Sequence, residues 1–181
     1  MKRLFVLAAF VFIAAIAANA QNKANFAGSW SLDKEKSQGL SQRMQGADKV
    51  TWTISQDDKT ISIESKVEGG QAPQGGGPGG GGGGGRGMGM GGPQTYNLDG
   101  SEATSEVGGG QMTGKATSKA TWAGNDLGLS RTMVFQGPNG EITSVTTQKL
   151  SLSGDGKVLT AVVHSESPRG TTDSTMVFNK Q

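Results

Sequence analysis

Few residues in this chain have the type and spacing that catalysis, metal binding or phosphate binding requires. His164 is the only histidine, cysteine is absent, and no serine sits in a Gly-x-Ser-x-Gly elbow. No base–nucleophile pair can be nominated from that set. In "VLTAVVHSE" His164 alternates with Val163, which predicts a solvent-facing imidazole. Asp57, Asp58, Asp126 and Asp155 fall in turn-like stretches, where carboxylates serve the turn backbone. Gly109, Gly114 and Lys115 stand at phosphate-loop spacing, but Ala116 occupies the place of the magnesium-binding hydroxyl and Lys115 opens an alternating strand. Met88 and Met90 are soft ligands of the kind copper(I) takes, yet on a glycine tract they read as linker. The sequence therefore assigns no catalytic residue, no metal ligand and no cofactor.

A second group of residues suits non-covalent binding. Trp30, Trp52, Tyr96 and Trp122 offer flat apolar walls, Met133 an adaptable one, Gln148 an amide, and Arg131 a charged handle for a carboxylate. They form a tentative ligand site only if the chain brings them to one interior.

The elements that would do so show period two. Phe26, Gly28, Trp30 and Leu32 alternate with Ala27, Ser29 and Ser31; Val50, Trp52 and Ile54 alternate with Thr51, Thr53 and Ser55. Ile61, Ile63 and Val67 share a face, and Tyr96 and Leu98 continue the pattern. In the second half Ala116, Ser118, Ala120 and Trp122 share one side, as do Leu127, Leu129, Arg131, Met133 and Phe135, and Ser144, Thr146, Gln148, Leu150 and Leu152. Such alternation marks strands buried on one face. Turn chemistry separates them, with "SQDDKTISI" and "SGDGKVLTA" reading as variants of one hairpin device. Ser37 to Lys49 lacks alternation and is expected to hold a short helix, weakened by Gly39 and Gly46. The fold class is all-β: an antiparallel up-and-down barrel of roughly eight to ten strands, packed with Trp, Leu and Phe at one end and with small and polar groups at the other.

"NFAGSWSLDKEKS" (25–37), with its Gly-x-Trp on the first strand, resembles lipocalin-like, or calycin-type, bacterial exported barrels. "LSLSGDGKVLTAVVHSE" (150–166) and the closing "MVFNK" are similar to the late hairpin and last strand of the same proteins. The resemblance implies an antiparallel barrel with an internal cavity. It also implies that an arginine stacks on the strand-one Trp, which would make Arg131 a structural cap on Trp30; exposure and ligand contact stand as the other readings of Arg131. The family's usual disulfide is absent, and no ligand carries over.

Composition bounds the setting. Lys2 and Arg3, the apolar run Leu4–Ile16 and the Ala18-Asn19-Ala20 pattern read as a signal peptide over residues 1–20, which places the mature protein in the periplasm or outside the cell. No second apolar stretch follows, so no membrane anchor is expected after cleavage. The chain has 17 basic and 15 acidic residues, and two of the basic ones belong to the leader. The balanced remainder has no basic stripe for nucleic acid. Residues 21–181 suit one barrel domain, expected as a monomer, interrupted at 69–93 by a tract holding 16 of the 31 glycines. That tract reads as a disordered loop spanning roughly 25–30 Å, whose extra length costs the fold only about 1.4 kcal/mol of closure entropy. The expected function is non-enzymatic binding of a small apolar or amphipathic molecule in the barrel interior. The alternative is an envelope structural or protein-interaction module with a filled barrel.

Overall fold

The computed structural model describes residues 23–69, 92–109, 112–137 and 140–181. The leader and residues 70–91 of the glycine tract lie outside the described residues, and so do the expectations placed on them. Ten strands form: β1 (Gly28–Gln38), β2 (Lys49–Gln56), β3 (Thr60–Glu68), β4 (Gln94–Asn97) and β5 (Ala103–Gly109), then β6 (Met112–Ala123), β7 (Asp126–Gly137), β8 (Gly140–Leu152), β9 (Val158–Ser167) and β10 (Gly170–Lys180). One short helix, α1 (Gln42–Gln45), lies between β1 and β2.

Every ladder is antiparallel, in the order β4-β3-β2-β1-β10-β9-β8-β7-β6-β5. The first and last strands pair with each other, and β4 packs against β5 and β6 with no ladder between them among the described residues. The result is a nearly closed up-and-down barrel, the architecture that the alternation and the family resemblance both imply. Closure turns one face of every strand inward and leaves one seam.

Turn side chains fix the hairpins. Asp57 Oδ1 accepts from the backbone N–H of Lys59 at 2.8 Å and of Thr60 at 2.6 Å. Asp155 Oδ1 accepts from Lys157 N at 3.1 Å and from Ser153 Oγ at 2.6 Å. The two look-alike hairpins thus share an Asp that folds back on the turn backbone, and in each case this hydrogen bonding holds the carboxyl below its ordinary range.

Helix α1 has only four residues, capped by the Ser41 hydroxyl, which accepts from Met44 N. Gly39, at φ +66°, makes the bend before it, and a Cβ there would collide with the Asp173 carbonyl. Only glycine fits that approach. The Ser37 hydroxyl bridges a register shift in the β1–β10 ladder, donating to Asp33 O at 2.6 Å and accepting from Val177 N at 3.0 Å. The chain then turns inward, so that Leu40 and Ala47 are buried and Met44 packs on the core.

The main core lies at the end where β1 begins and β10 finishes. Phe26, Trp30, Phe178, Leu127, Leu150 and Leu159 are fully buried there, with Trp52, Ile61, Ile63 and Tyr96 beside them. Each large apolar side chain so buried contributes about 1.5–3 kcal/mol. Trp52 and Phe178 pack at a ring separation of 4.4 Å, and the Trp30 indole N–H donates to Phe26 O at 2.9 Å.

One expectation is corrected here. The cation over Trp30 is Lys180, whose Nζ lies 5.3 Å from the ring centroid; Arg131 does not cap it. The reason is strand pairing: β1 and β10 are neighbours with Trp30 directly opposite Lys180, whereas Arg131 sits in mid-strand on β7.

Candidate ligand-binding interior

The inward face changes character along the barrel. On β8, inward Leu150 is buried, but Gln148, Thr146, Ser144 and Ile142 are all half-buried. On β9 the buried pair Leu159 and Ala161 gives way to half-buried Val163, Ser165 and Ser167. On β10 buried Phe178 and Met176 give way to half-buried Ser174 and exposed Thr172, and on β3 buried Ile61 and Ile63 give way to exposed Ser65. The inward faces of β3, β8, β9 and β10 are therefore buried at one end and partly reached by solvent at the other, while on β6 and β7 Ala116, Ser118, Arg131, Met133 and Phe135 are buried as well.

A row of polar side chains marks the boundary. The registers pair Ser118 with Arg131, Arg131 with Thr146, Thr146 with Ser165, and Ser165 with Thr172. Five consecutive strands, β6 to β10, thus place one polar residue each at the same level on the inner face. The Thr146 and Ser165 hydroxyls are 3.1 Å apart and hydrogen-bonded. Beyond the row, toward the rim, a second and smaller apolar cluster is formed by Ala116, Met133 and Phe135 with Val107 and Ile142 packed on it. Phe135 packs close to Gly114, where a Cβ would meet the ring at 2.6 Å.

Arg131 is the charged member of that row. Its side chain is 8 % exposed, and its Nε is buried without a hydrogen-bond partner. Among the described residues it makes no ion pair, hydrogen bond or ring contact. The described inward positions of β2 to β10 include no Asp or Glu. Gln148 Oε1, diagonal to Arg131 on β8, is also buried and unpaired, as are the indole nitrogens of Trp52 and Trp122. Burying an unpaired polar group costs about 1–3 kcal/mol, and more for a charge.

The seven candidate residues divide between the two ends. Trp30 and Trp52 belong to the packed core with Tyr96, and half-buried Trp122 packs on it, stacked on Phe26 at 6.2 Å and with Lys23 Nζ over its ring, 5.2 Å from the centroid. Arg131, Met133 and Gln148 lie further toward the other end, Arg131 and Met133 buried and Gln148 half-buried. Tyr96 links the two. Burial pushes its phenol up to about 12, the Arg131 charge pulls the other way, and its hydroxyl donates to Gln94 Oε1 at 3.0 Å. Of the polar row, Ser165 and Thr172 were not singled out by local alternation; only the strand registers bring them level with Arg131.

Other features of the surface hold less chemistry. His164 does face outward, as expected, with Nδ1 2.6 Å from Asp173 Oδ1 and Nε2 3.2 Å from Glu166 Oε1. These bonds raise its pKa, Asp173 most. Because the two carboxylates hold opposite ring nitrogens, they do not converge on one metal position, and no metal-holding cluster occurs among the described residues. A cavity of about 280 Å³ beside α1 is lined by Lys34, Ser37, Gly39, Leu40 and Gln45. Its one cation is engaged, since Lys34 Nζ donates to Ala47 O at 2.7 Å. Among the described residues no helix is long and apolar enough to cross a membrane.

The sequence matches no family model and no curated protein. Among solved structures it is similar to zebrafish ileal bile acid-binding protein complexed with cholic acid, with 14% identity over 86% of this chain and 98% of that one, at a TM-score of 0.45.

Proposed function

We propose that this chain is an exported, non-enzymatic barrel that binds a small apolar or amphipathic molecule in the open half of its interior. The observation that carries the reading is the division of the inner face. One end is closed by packed aromatic and aliphatic side chains, while the other is reached by solvent and floored by buried polar groups with unmet hydrogen bonds. A barrel meant only to be filled would gain stability from apolar residues at those positions. Arg131, Met133 and Gln148 contact the ligand in this reading; Tyr96 and Trp52 stand at its floor, and Trp30 and Trp122 brace the closed end.

Titration of intrinsic tryptophan fluorescence with fatty acids, haem and aromatic acids tests it. A saturable change with at least one of these compounds is expected, weakened by Arg131 and Met133 substitutions. A flat response throughout, with Trp30→Ala merely destabilising, would leave the filled interaction module in its place. Export rests on the leader alone, and an intact mass beginning at Gln21 in the non-cytoplasmic fraction is the expected result.

A further inference from the structure

We infer that the ligand is a monoanionic organic acid, bound with its carboxylate on Arg131 and its tail, effectively about ten carbons at most, directed to the open rim. The inference rests on the ligand-binding reading above and names the chemistry of the occupant. A guanidinium that is nine-tenths buried needs a counter-charge, and none of the described inward side chains supplies one. Its Nε edge suits side-on, bidentate pairing with a carboxylate. Ser118 and Thr146, directly opposite it on the two neighbouring strands, put hydroxyls at the same level. Gln148 adds an amide one step toward the closed end. A single cation among neutral donors matches one negative charge.

The tail can leave in only one direction. On the closed side of Arg131 the same strand carries buried Leu129 and Leu127, packed against Leu150 and Ala161 of the neighbouring strands. On the rim side it carries Met133 and Phe135, which pack with Ala116, Ile142 and Val107 in a small apolar cluster that a tail would lie against. From Arg131 to the end of β7 at Gly137 are six residues. At about 3.3 Å each and a barrel tilt near 40°, that puts the rim on the order of 15 Å from Arg131 along the barrel axis, the length of a tail of roughly ten carbons. Carbons past that point would lie in water and add nothing.

Calorimetric titration of the full mature protein with straight-chain acids from hexanoate to hexadecanoate, and with the matching primary alcohols, reads this out. Octanoate and decanoate are expected to bind at least tenfold more tightly than octanol and decanol. Affinity should rise about fourfold per methylene and flatten near ten carbons. Arg131→Gln, checked for an intact melting transition, should weaken acid binding at least tenfold more than alcohol binding and so abolish the acid–alcohol preference. Equal affinity for acid and alcohol in the unaltered protein would overturn the head-group assignment and leave the ligand-binding reading standing, as would a preference that survives Arg131→Gln. Affinity that keeps climbing to hexadecanoate would overturn the assigned length. If no acid or alcohol binds and the fluorescence screen is also flat, the ligand reading itself falls, and this inference with it.

Discussion

The two ends of this barrel are made from the same ten strands, yet they solve different problems. At the closed end alternate positions carry Trp30, Phe178, Leu127, Leu150 and Leu159, all removed from water, and the Trp30 indole has found a backbone carbonyl. At the open end the same faces of the same strands carry Ser144, Thr146, Ser165 and Ser174, half-wetted, around a guanidinium with no partner. Stability is concentrated in the first region and left unspent in the second. Regions with few buried apolar contacts are where a fold can host something other than itself.

That contrast makes substitutions unequal. Phe178→Ala, which opens a void against Trp52, should cost about 3–5 kcal/mol in urea or thermal unfolding. A cost well under 1 kcal/mol would mean that the closed end is not close-packed. Arg131→Met should go the other way and raise the stability of the ligand-free protein by about 1–3 kcal/mol, because it removes a buried, unpaired polar group. Loss of stability instead would show that the guanidinium has a structural partner and would blur the division. Thr146→Val, which removes the hydrogen bond to Ser165 at a half-buried inner position, should cost about 0.5–1.5 kcal/mol.

The smallest effect belongs to the outside of the barrel. His164 has its pKa raised above 6.5 by hydrogen bonds to Asp173 and Glu166. Its contribution is therefore fully present below about pH 6.5 and lost as pH rises through the raised value. His164→Gln should lower the melting temperature slightly under mildly acidic conditions and not at all in the alkaline range. A difference that grows with pH would contradict the assigned ion pairs.

Local alternation made β1, β2 and β3 legible, because each has one face buried and the other wet, with an Asp-bearing turn between β2 and β3. It also identified the shared sides of β6, β7 and β8, which bring Arg131, Met133 and Gln148 to the interior. The cation over Trp30 was not legible, since it depends on the first strand meeting the last, a pairing 150 residues distant in sequence. The polar row was hidden for a related reason. Ser118, Arg131, Thr146, Ser165 and Thr172 align only through four successive registers, each set by its hairpin, and a shift of one residue in any of them would turn the row outward. Helix α1 is too short to show a period, and its place depends on the close approach of Gly39 to β10.

The most direct test of the divided interior is a two-dimensional nitrogen–proton spectrum of the labelled protein, recorded as decanoate is added. The account predicts saturable shifts at the Arg131 Nε–H and at backbone amides of Met133, Thr146 and Ser165, with the Trp30 indole signal unmoved. Shifts confined to outward-facing residues, or an Arg131 signal that stays fixed while the Trp30 indole moves, would contradict it.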